Sequence, residues 1–221
     1  MHVRIALSIG LSLKNLHSSS NTKTIVTHDL KLEIIAQTKI SAGEEITNPY
    51  MSTDKPTYIR RPYLREKWFF DCTCSRCSDP TELGSHMSSL LCTRSKCRGS
   101  AVPSHPLDYQ SDWVCLSCGA VTCLDRVQSV LESAAQLMAT RVEEEDVVQH
   151  YERVLHKLSS QLHSYNHLMI DVKQKLALLY GNIDKYSMGT MGRPAKQRKV
   201  QLCMEVMDCQ AKVSQLTLLG Q

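Results

Sequence analysis

The sequence predicts an α+β fold with a metal-organised middle. Three observations carry that prediction. Branched residues crowd the stretch Thr24 to Thr38, eight of the 10 cysteines fall between Cys72 and Cys123, and apolar residues repeat at helical spacing from Val127 onward. The first pattern is that of strands, the second is that of metal ligands, and the third is that of amphipathic helices.

Residues 1–60 form the β-rich part. Ile25, Val26, Leu30, Leu32, Ile34 and Ile35 read as two strands around a turn near His28-Asp29. Ser41-Ala42-Gly43-Glu44 reads as a turn, and Glu45-Ile46-Thr47 as a short strand that stops at Asn48-Pro49. Residues 61–124 form the cysteine-rich part, which Pro80, Gly84, Gly99, Pro103 and Pro106 interrupt. Such a segment has too small a core to hold itself without metal. Arg61 to Lys67 reads as a short helix leading into Trp68-Phe69-Phe70.

Residues 125–221 read as helical. Val127, Val130, Leu131, Ala134, Leu137 and Met138 mark a first helix. Asp146 to Leu162 gives a second, after an acidic run from Glu143 that suits a helix N-terminus. Asn166 to Tyr180 gives a third, closed by Gly181, and Ala195 to Leu218 a fourth. Short loops between such helices predict an antiparallel helical layer, although the sequence shows no clean repeat period.

Composition excludes several classes. The 221 residues are 42% hydrophobic and 22% charged, as in an ordinary globular protein, with a net charge of +4. Basic residues form no long run, and the cysteine-rich part lacks interleaved aromatic and basic residues, so no direct nucleic-acid binding is expected. No apolar run approaches the roughly 20 residues that cross a bilayer, so no membrane partner is expected. The apolar stretch behind Arg4 lacks a clear small-residue cleavage site and reads as a buried strand or helix rather than a signal peptide. Cysteines in C-x-C and C-x2-C pairs favour metal over disulfides, because so short a disulfide loop is strained. That places the chain in a reducing compartment, the nucleus or cytoplasm.

Two Zn²⁺ sites are expected. Cys92, Cys97, Cys115 and Cys118 make a complete all-thiolate set, which is closed and therefore structural. Pro103, Pro106, Leu107 and Trp113 suit a small hairpin that brings the pairs together. Cys123 competes with Cys118 for the last place, and four buried free thiols are the plain alternative. Cys72, Cys74 and Cys77 form an incomplete set, with His17, Cys123 or His86 as candidate fourth ligand. No H-E pair or P-C-x-x-C motif accompanies it, so it too reads as structural. Cys203 and Cys209 read as ordinary positions of the last helix.

These residues carry a family resemblance. Ala42-Gly43-Glu44-Glu45-Ile46-Thr47-x-x-Tyr50 resembles the last motif of SET-domain lysine methyltransferases, and Phe70-x-Cys72-x-Cys74-x2-Cys77 resembles their post-SET zinc motif. With helices following, the chain resembles the SMYD (SET and MYND) branch. Pro106-Leu107-Asp108 and Ser111-Asp112-Trp113, inside the second cysteine set, resemble the arthropod SMYD-like proteins of the msta type. The likeness runs from about residue 5 to about residue 215.

The resemblance implies a partial SET segment over 1–60, a zinc-bound post-SET and ribbon segment over 61–124, and a TPR-like antiparallel bundle over 125–221. It implies that Tyr50 lines a lysine channel as the catalytic tyrosine, that Phe70 packs on the adenine of S-adenosylmethionine, and that Cys72, Cys74 and Cys77 hold zinc. The family motif N-H-S-C-x-P-N, whose Asn contacts the cofactor and whose Cys closes the zinc site, matches at Asn15, Asn21 and Thr22. Leu16 and Ser18 stand where the family has His and Cys. Serine is a poor zinc ligand, and His17 is the neighbouring substitute. The implied activity is S-adenosylmethionine-dependent methylation of histone or protein lysines, with protein partners on the helical part. The family's Gly-rich cofactor segment, first SET half and MYND finger precede the matched region. The expectation is therefore a C-terminal portion, inactive by itself, whose N-terminal sixty residues are poorly ordered or self-associate. The alternative is a zinc-stapled helical scaffold for protein partners.

Overall fold

A computed structural model describes residues 16–17, 20–140, 147–187 and 189–219. Asn15, Ser18 and the run Glu143 to Asp146 lie outside them. Branched residues make β2 (Thr22–Val26) and β3 (Leu32–Ala36), which pair antiparallel about the expected turn. Leu16–His17 (β1) and Asn48–Pro49 (β4) pair in parallel. The short strand expected at Glu45 to Thr47 is thus displaced toward Pro49. Residues 45–47 instead bond to Asn21: its Nδ2 donates to the Glu45 carbonyl (2.8 Å), and its Oδ1 accepts from the Thr47 N–H (2.8 Å). The hairpin leaves Val26, Leu30 and Leu32 exposed.

Helix α1 runs Thr57–Trp68, beginning four residues before the expected Arg61. Pro62 lies inside it, where its missing N–H leaves one helical carbonyl without its usual donor. The decisive contact is remote. The backbone N–H of Thr57 donates to the carboxylate of Glu82 (3.0 Å), a cap supplied from 25 residues away. The short α2 (Ser75–Ser78) follows, and then β5 (Leu90–Leu91), β6 (Ser100–Pro103), β7 (Trp113–Cys115) and β8 (Val121–Thr122) form one antiparallel ribbon in sequence order.

The helices are α3 (Leu124–Ala139), α4 (Val147–Leu158), α5 (His167–Asn182) and α6 (Arg193–Leu219), close to the spans the apolar periodicity predicts. Gly181 sits at φ 117°, in the left-handed region open to glycine, and α5 kinks there. The helices pack in succession, α3 on α4, α4 on α5 and α5 on α6. Their core of Val127, Tyr151, Leu158, Val172, Leu176 and Leu202 is continuous with Leu90, Ala101 and Trp113 of the ribbon. The fold is therefore mixed helix and sheet, with the ribbon seated on the helical layer. Among the described residues, no helix is long and apolar enough to cross a membrane.

Asn166 fastens ribbon to helices. Fully buried, it caps α5 by accepting the Leu168 N–H (3.0 Å), and its amide donates to the carbonyls of Ser88 (3.1 Å) and Ser89 (3.0 Å). Asn166→Ala removes the cap and the side-chain donor of the Ser88 carbonyl, while the Ser89 carbonyl keeps the His163 N–H (3.2 Å). The expected loss is about 2–4 kcal/mol, readable as a lower urea midpoint at unchanged slope.

Candidate metal centres

The complete cysteine set converges as its spacing predicts. Cys92 and Cys97 flank the loop after β5, Cys115 ends β7, and Cys118 sits in the turn before β8. The four Sγ atoms lie within 4.8 Å of one another. Cys92 to Cys118 is 3.6 Å and Cys97 to Cys115 is 3.7 Å. A tetrahedral cation with bonds of about 2.3 Å to sulfur sets its ligands about 3.8 Å apart, so the set can hold Zn²⁺. Backbone N–H groups point at the sulfurs, from Arg94 to Cys92 and from Gly99 to Cys97, both at 3.4 Å. Burial works against ionisation of Cys115, but N–H groups of Cys118 and Ser117 outweigh it, and the thiol is held down at about 7. Such donors stabilise thiolates, the form a metal requires. Cys123 stands apart, exposed at the N-cap of α3, which leaves Cys118 as the fourth member.

Gly99 is a site requirement rather than a turn requirement. A Cβ there would meet Ser117 Oγ at 2.4 Å and Cys115 Sγ at 2.8 Å. Gly99→Ala is expected to loosen metal at this set by about 10–100-fold, seen by chelator competition, since the change displaces both a ligand and its N–H donor.

The second set, Cys72, Cys74 and Cys77, is buried, and its Sγ atoms also lie within 4.8 Å of one another. Cys74 is the N-cap of α2 and Cys77 lies within it. Among the described residues no fourth His, Cys, Asp or Glu joins them. His86 is engaged elsewhere: its ring stacks on His163 (4.6 Å between centroids), and its Nδ1 meets Ser89 Oγ at 3.0 Å. Cys123 belongs to the far end of the ribbon. The side chain of His17 lies outside what the structure describes.

Sequence reasoning missed the charged cluster beneath this set. Arg60 and Arg76, both buried, share the carboxylate of Glu82, each at 3.1 Å. Glu82 Oε1 accepts the Thr57 N–H and the Ser88 hydroxyl. Burial disfavours the Glu82 charge, yet Arg76 and Arg60 hold its carboxyl below the usual range. Nothing in the local pattern marks these residues, because each reads as an ordinary surface charge.

Tyr50 and Phe70 pack against the same three-cysteine cluster, together with Leu64 of α1. The Tyr50 ring meets Trp68 edge-on, 4.7 Å between centroids at 73°. The structure thus brings Tyr50, Phe70 and the cysteines into one place. Trp68 is a member of this group that the sequence reading did not assign. Asn21, matched by the upstream motif, is buried and ties that segment to residues 44–47.

No family model matches the chain. It is 37% identical over 102 residues to the Drosophila melanogaster SET domain-containing protein SmydA-8, isoform B, covering 46% of this chain and 21% of that protein. It is 34% identical over 55 residues to the human histone-lysine N-methyltransferase SMYD1, covering 25% of this chain and 11% of that protein. Over part of its length the chain is similar to SET and MYND (SMYD-type) proteins. The Arabidopsis thaliana histone-lysine N-methyltransferase ASHR1 extends the likeness, at 24% identity over 180 residues, to 76% of this chain and 37% of its own length. The chain thus spans a fifth or a little more of the first of these curated relatives and about a third of the last.

Proposed function

We propose that this SMYD-type chain serves SET-type protein-lysine methyl transfer as the tyrosine wall of a lysine channel and the zinc-bound clasp beside it. The packing of Tyr50 and Phe70 onto the Cys72, Cys74 and Cys77 cluster, with Trp68 edge-on to Tyr50, carries the reading. Two motifs about 20 residues apart in sequence would form one aromatic wall, and a metal would hold that wall in place. A phenol and an indole at such a wall orient an amine and exclude water, a task of positioning and electrostatics. S-adenosylmethionine would supply the methyl group, with Asn15 and Phe70 as its contacts. Zn²⁺ would occupy both cysteine sets. Histone or other protein lysines are the substrate class, in nucleus or cytoplasm. The segments 1–60, 61–124 and 125–221 would act as partial SET, zinc-bound and repeat-like helical parts.

Leu16 and Ser18, in place of the family's His and Cys, lead us to expect no turnover by this chain alone. Calorimetry should then show no saturable S-adenosylmethionine binding, and micromolar saturation would overturn that expectation. The channel itself is tested by fluorescence. Trp68 is 41% exposed and Trp113 is 4% exposed. A lysine peptide of histone sequence should quench Trp68 saturably, and Tyr50→Ala should weaken the binding about tenfold, the loss of roughly one aromatic contact. A flat titration would sink the channel reading.

The second reading is a zinc-stapled scaffold for protein partners. Val200, Met204 and Met207 on α6 favour it, since they form an exposed apolar stripe at helical spacing. It is preferred if peptide quenching is absent while the helical layer is intact.

A further inference from the structure

Arg60, Arg76 and Glu82 form a buried cluster in which two guanidiniums share one carboxylate. The cluster therefore carries one positive charge in excess. An uncompensated buried charge is costly, and proteins place a counter-charge against it. The structure shows where that counter-charge lies. Arg60 Nη1 is committed to Glu82 (3.1 Å) and to the Lys55 carbonyl, while Nη2 donates to Thr57 Oγ1 (2.8 Å) and to Cys77 Sγ (3.5 Å). Arg76 also donates to the carbonyls of Thr53 (2.7 Å) and Lys55 (3.3 Å) and to Met87 Sδ (3.2 Å). Arg60 thus brings the excess charge to the cysteine set through its N–H···S contact with Cys77.

We propose that Arg60 is a positioning residue of the Cys72, Cys74 and Cys77 site, and that this site takes a divalent cation with three thiolates and a neutral fourth donor. Arg61, a third buried guanidinium at the set, donates to the Cys72 carbonyl (3.1 Å) and is paired with Asp71 (3.8 Å), so the excess charge is that of Arg60, Arg76 and Glu82. A divalent cation with three thiolates carries a net charge of −1, which balances the +1 of Arg60, Glu82 and Arg76 when the fourth donor is water or imidazole. A fourth thiolate would leave the buried unit at −1. Arg60 also fixes the Cys77 sulfur by an N–H donor, the role that outer groups commonly play for metal ligands. The ribbon set differs in kind: its sulfurs take N–H groups from the backbone of Arg94 and Gly99, and three of its four cysteines are only partly buried, so water shares in carrying their charge.

This inference rests on the reading that the three-cysteine set holds metal, and the experiment separates the two. The full chain is loaded with Zn²⁺, and zinc content and release to a chromophoric chelator are measured. The release phase of the three-cysteine site is identified as the one lost in Cys74→Ser. A wild-type chain with one zinc removes the metal reading itself. With two zincs, Arg60→Met is expected to weaken the three-cysteine phase by about 10–100-fold and leave the ribbon phase unchanged. Arg60→Lys, which restores the charge, should recover most of that loss. Equal affinities in wild type and Arg60→Met would overturn the proposal. So would equal loss at both sites with no recovery in Arg60→Lys. X-ray absorption on the wild-type zinc protein needs no variant. Three sulfurs and one nitrogen or oxygen at one site, with four sulfurs at the other, are expected, and four sulfurs at both sites would overturn the neutral fourth donor. Should Arg60→Met fail to fold, Arg60→Lys and the absorption measurement decide the matter.

Discussion

Chelation of the ribbon metal is expected to unfold residues 90–123 and to weaken the helices beneath them. The ribbon has little else to hold it. Its strands are two to four residues long, and its buried apolar side chains are Leu90, Ala101, Val102 and Trp113. A segment of this size cannot offset the entropy of ordering its backbone, on the order of 1–2 kcal/mol per residue, by burial alone. Structural zinc commonly contributes about 10–16 kcal/mol of apparent free energy in small domains, so its removal outweighs any single side-chain change here. Leu90, Ala101 and Trp113 are also part of the helical core, so the loss should spread to α3 and α4. Hydrogen exchange with and without chelator is the direct measurement. Protection should vanish first in β5 to β8 and fall next around Val127 and Leu158. Cys97→Ser should reproduce the effect at saturating zinc. Unchanged protection across the ribbon after metal removal would refute the prediction.

The second large effect is expected at Glu82. Glu82→Gln keeps the shape and the left-handed backbone, at φ 55°, but removes the one carboxylate shared by Arg60 and Arg76. Breaking a buried pair costs about 3–5 kcal/mol, because the remaining charge stays uncompensated. The amide also presents an N–H₂ where a carboxylate oxygen now accepts. If that group turns toward Thr57, the N-terminus of α1 loses its remote cap; if it turns toward the arginines, donors face donors. Urea unfolding at neutral pH should show the loss.

The acid limb gives an independent sign. The folded carboxyl of Glu82 lies below its ordinary range, so its contribution is present above the unfolded value of about 4.5 and is lost as pH falls through the lower folded value. Glu82→Gln should therefore flatten that part of the acid transition while lowering stability at pH 7. A variant as stable as wild type at pH 7 would show that the cluster contributes nothing net.

The legible parts of this fold were those set by local chemistry. The β2–β3 hairpin followed from branched residues around a polar turn. Helices α3 to α6 followed from apolar spacing, within a few residues at each end. The ribbon set of cysteines followed from pair spacing, because ligands two to four residues apart can reach one tetrahedral ion whatever surrounds them. The start of α1 was not legible. The cap that moves it to Thr57 comes from Glu82 across the fold. The strand expected at Glu45 to Thr47 went to Asn48–Pro49, because Asn21 takes the backbone groups of Glu45 and Thr47.

By itself, the sequence determined which residues are able to bind metal, which segments are helical, and the SMYD-type resemblance carried by Tyr50, Phe70 and the cysteines. Those properties depend on residue type and short spacing, which a linear chain displays directly. The tertiary structure alone decided that Cys118 rather than Cys123 completes the ribbon set, that Trp68 stands against Tyr50, and that Arg60 and Arg76 share Glu82 beneath the second set. Burial makes the difference. A charge or a thiol has its chemistry set by what it is buried against, and those neighbours lie tens of residues away along the chain.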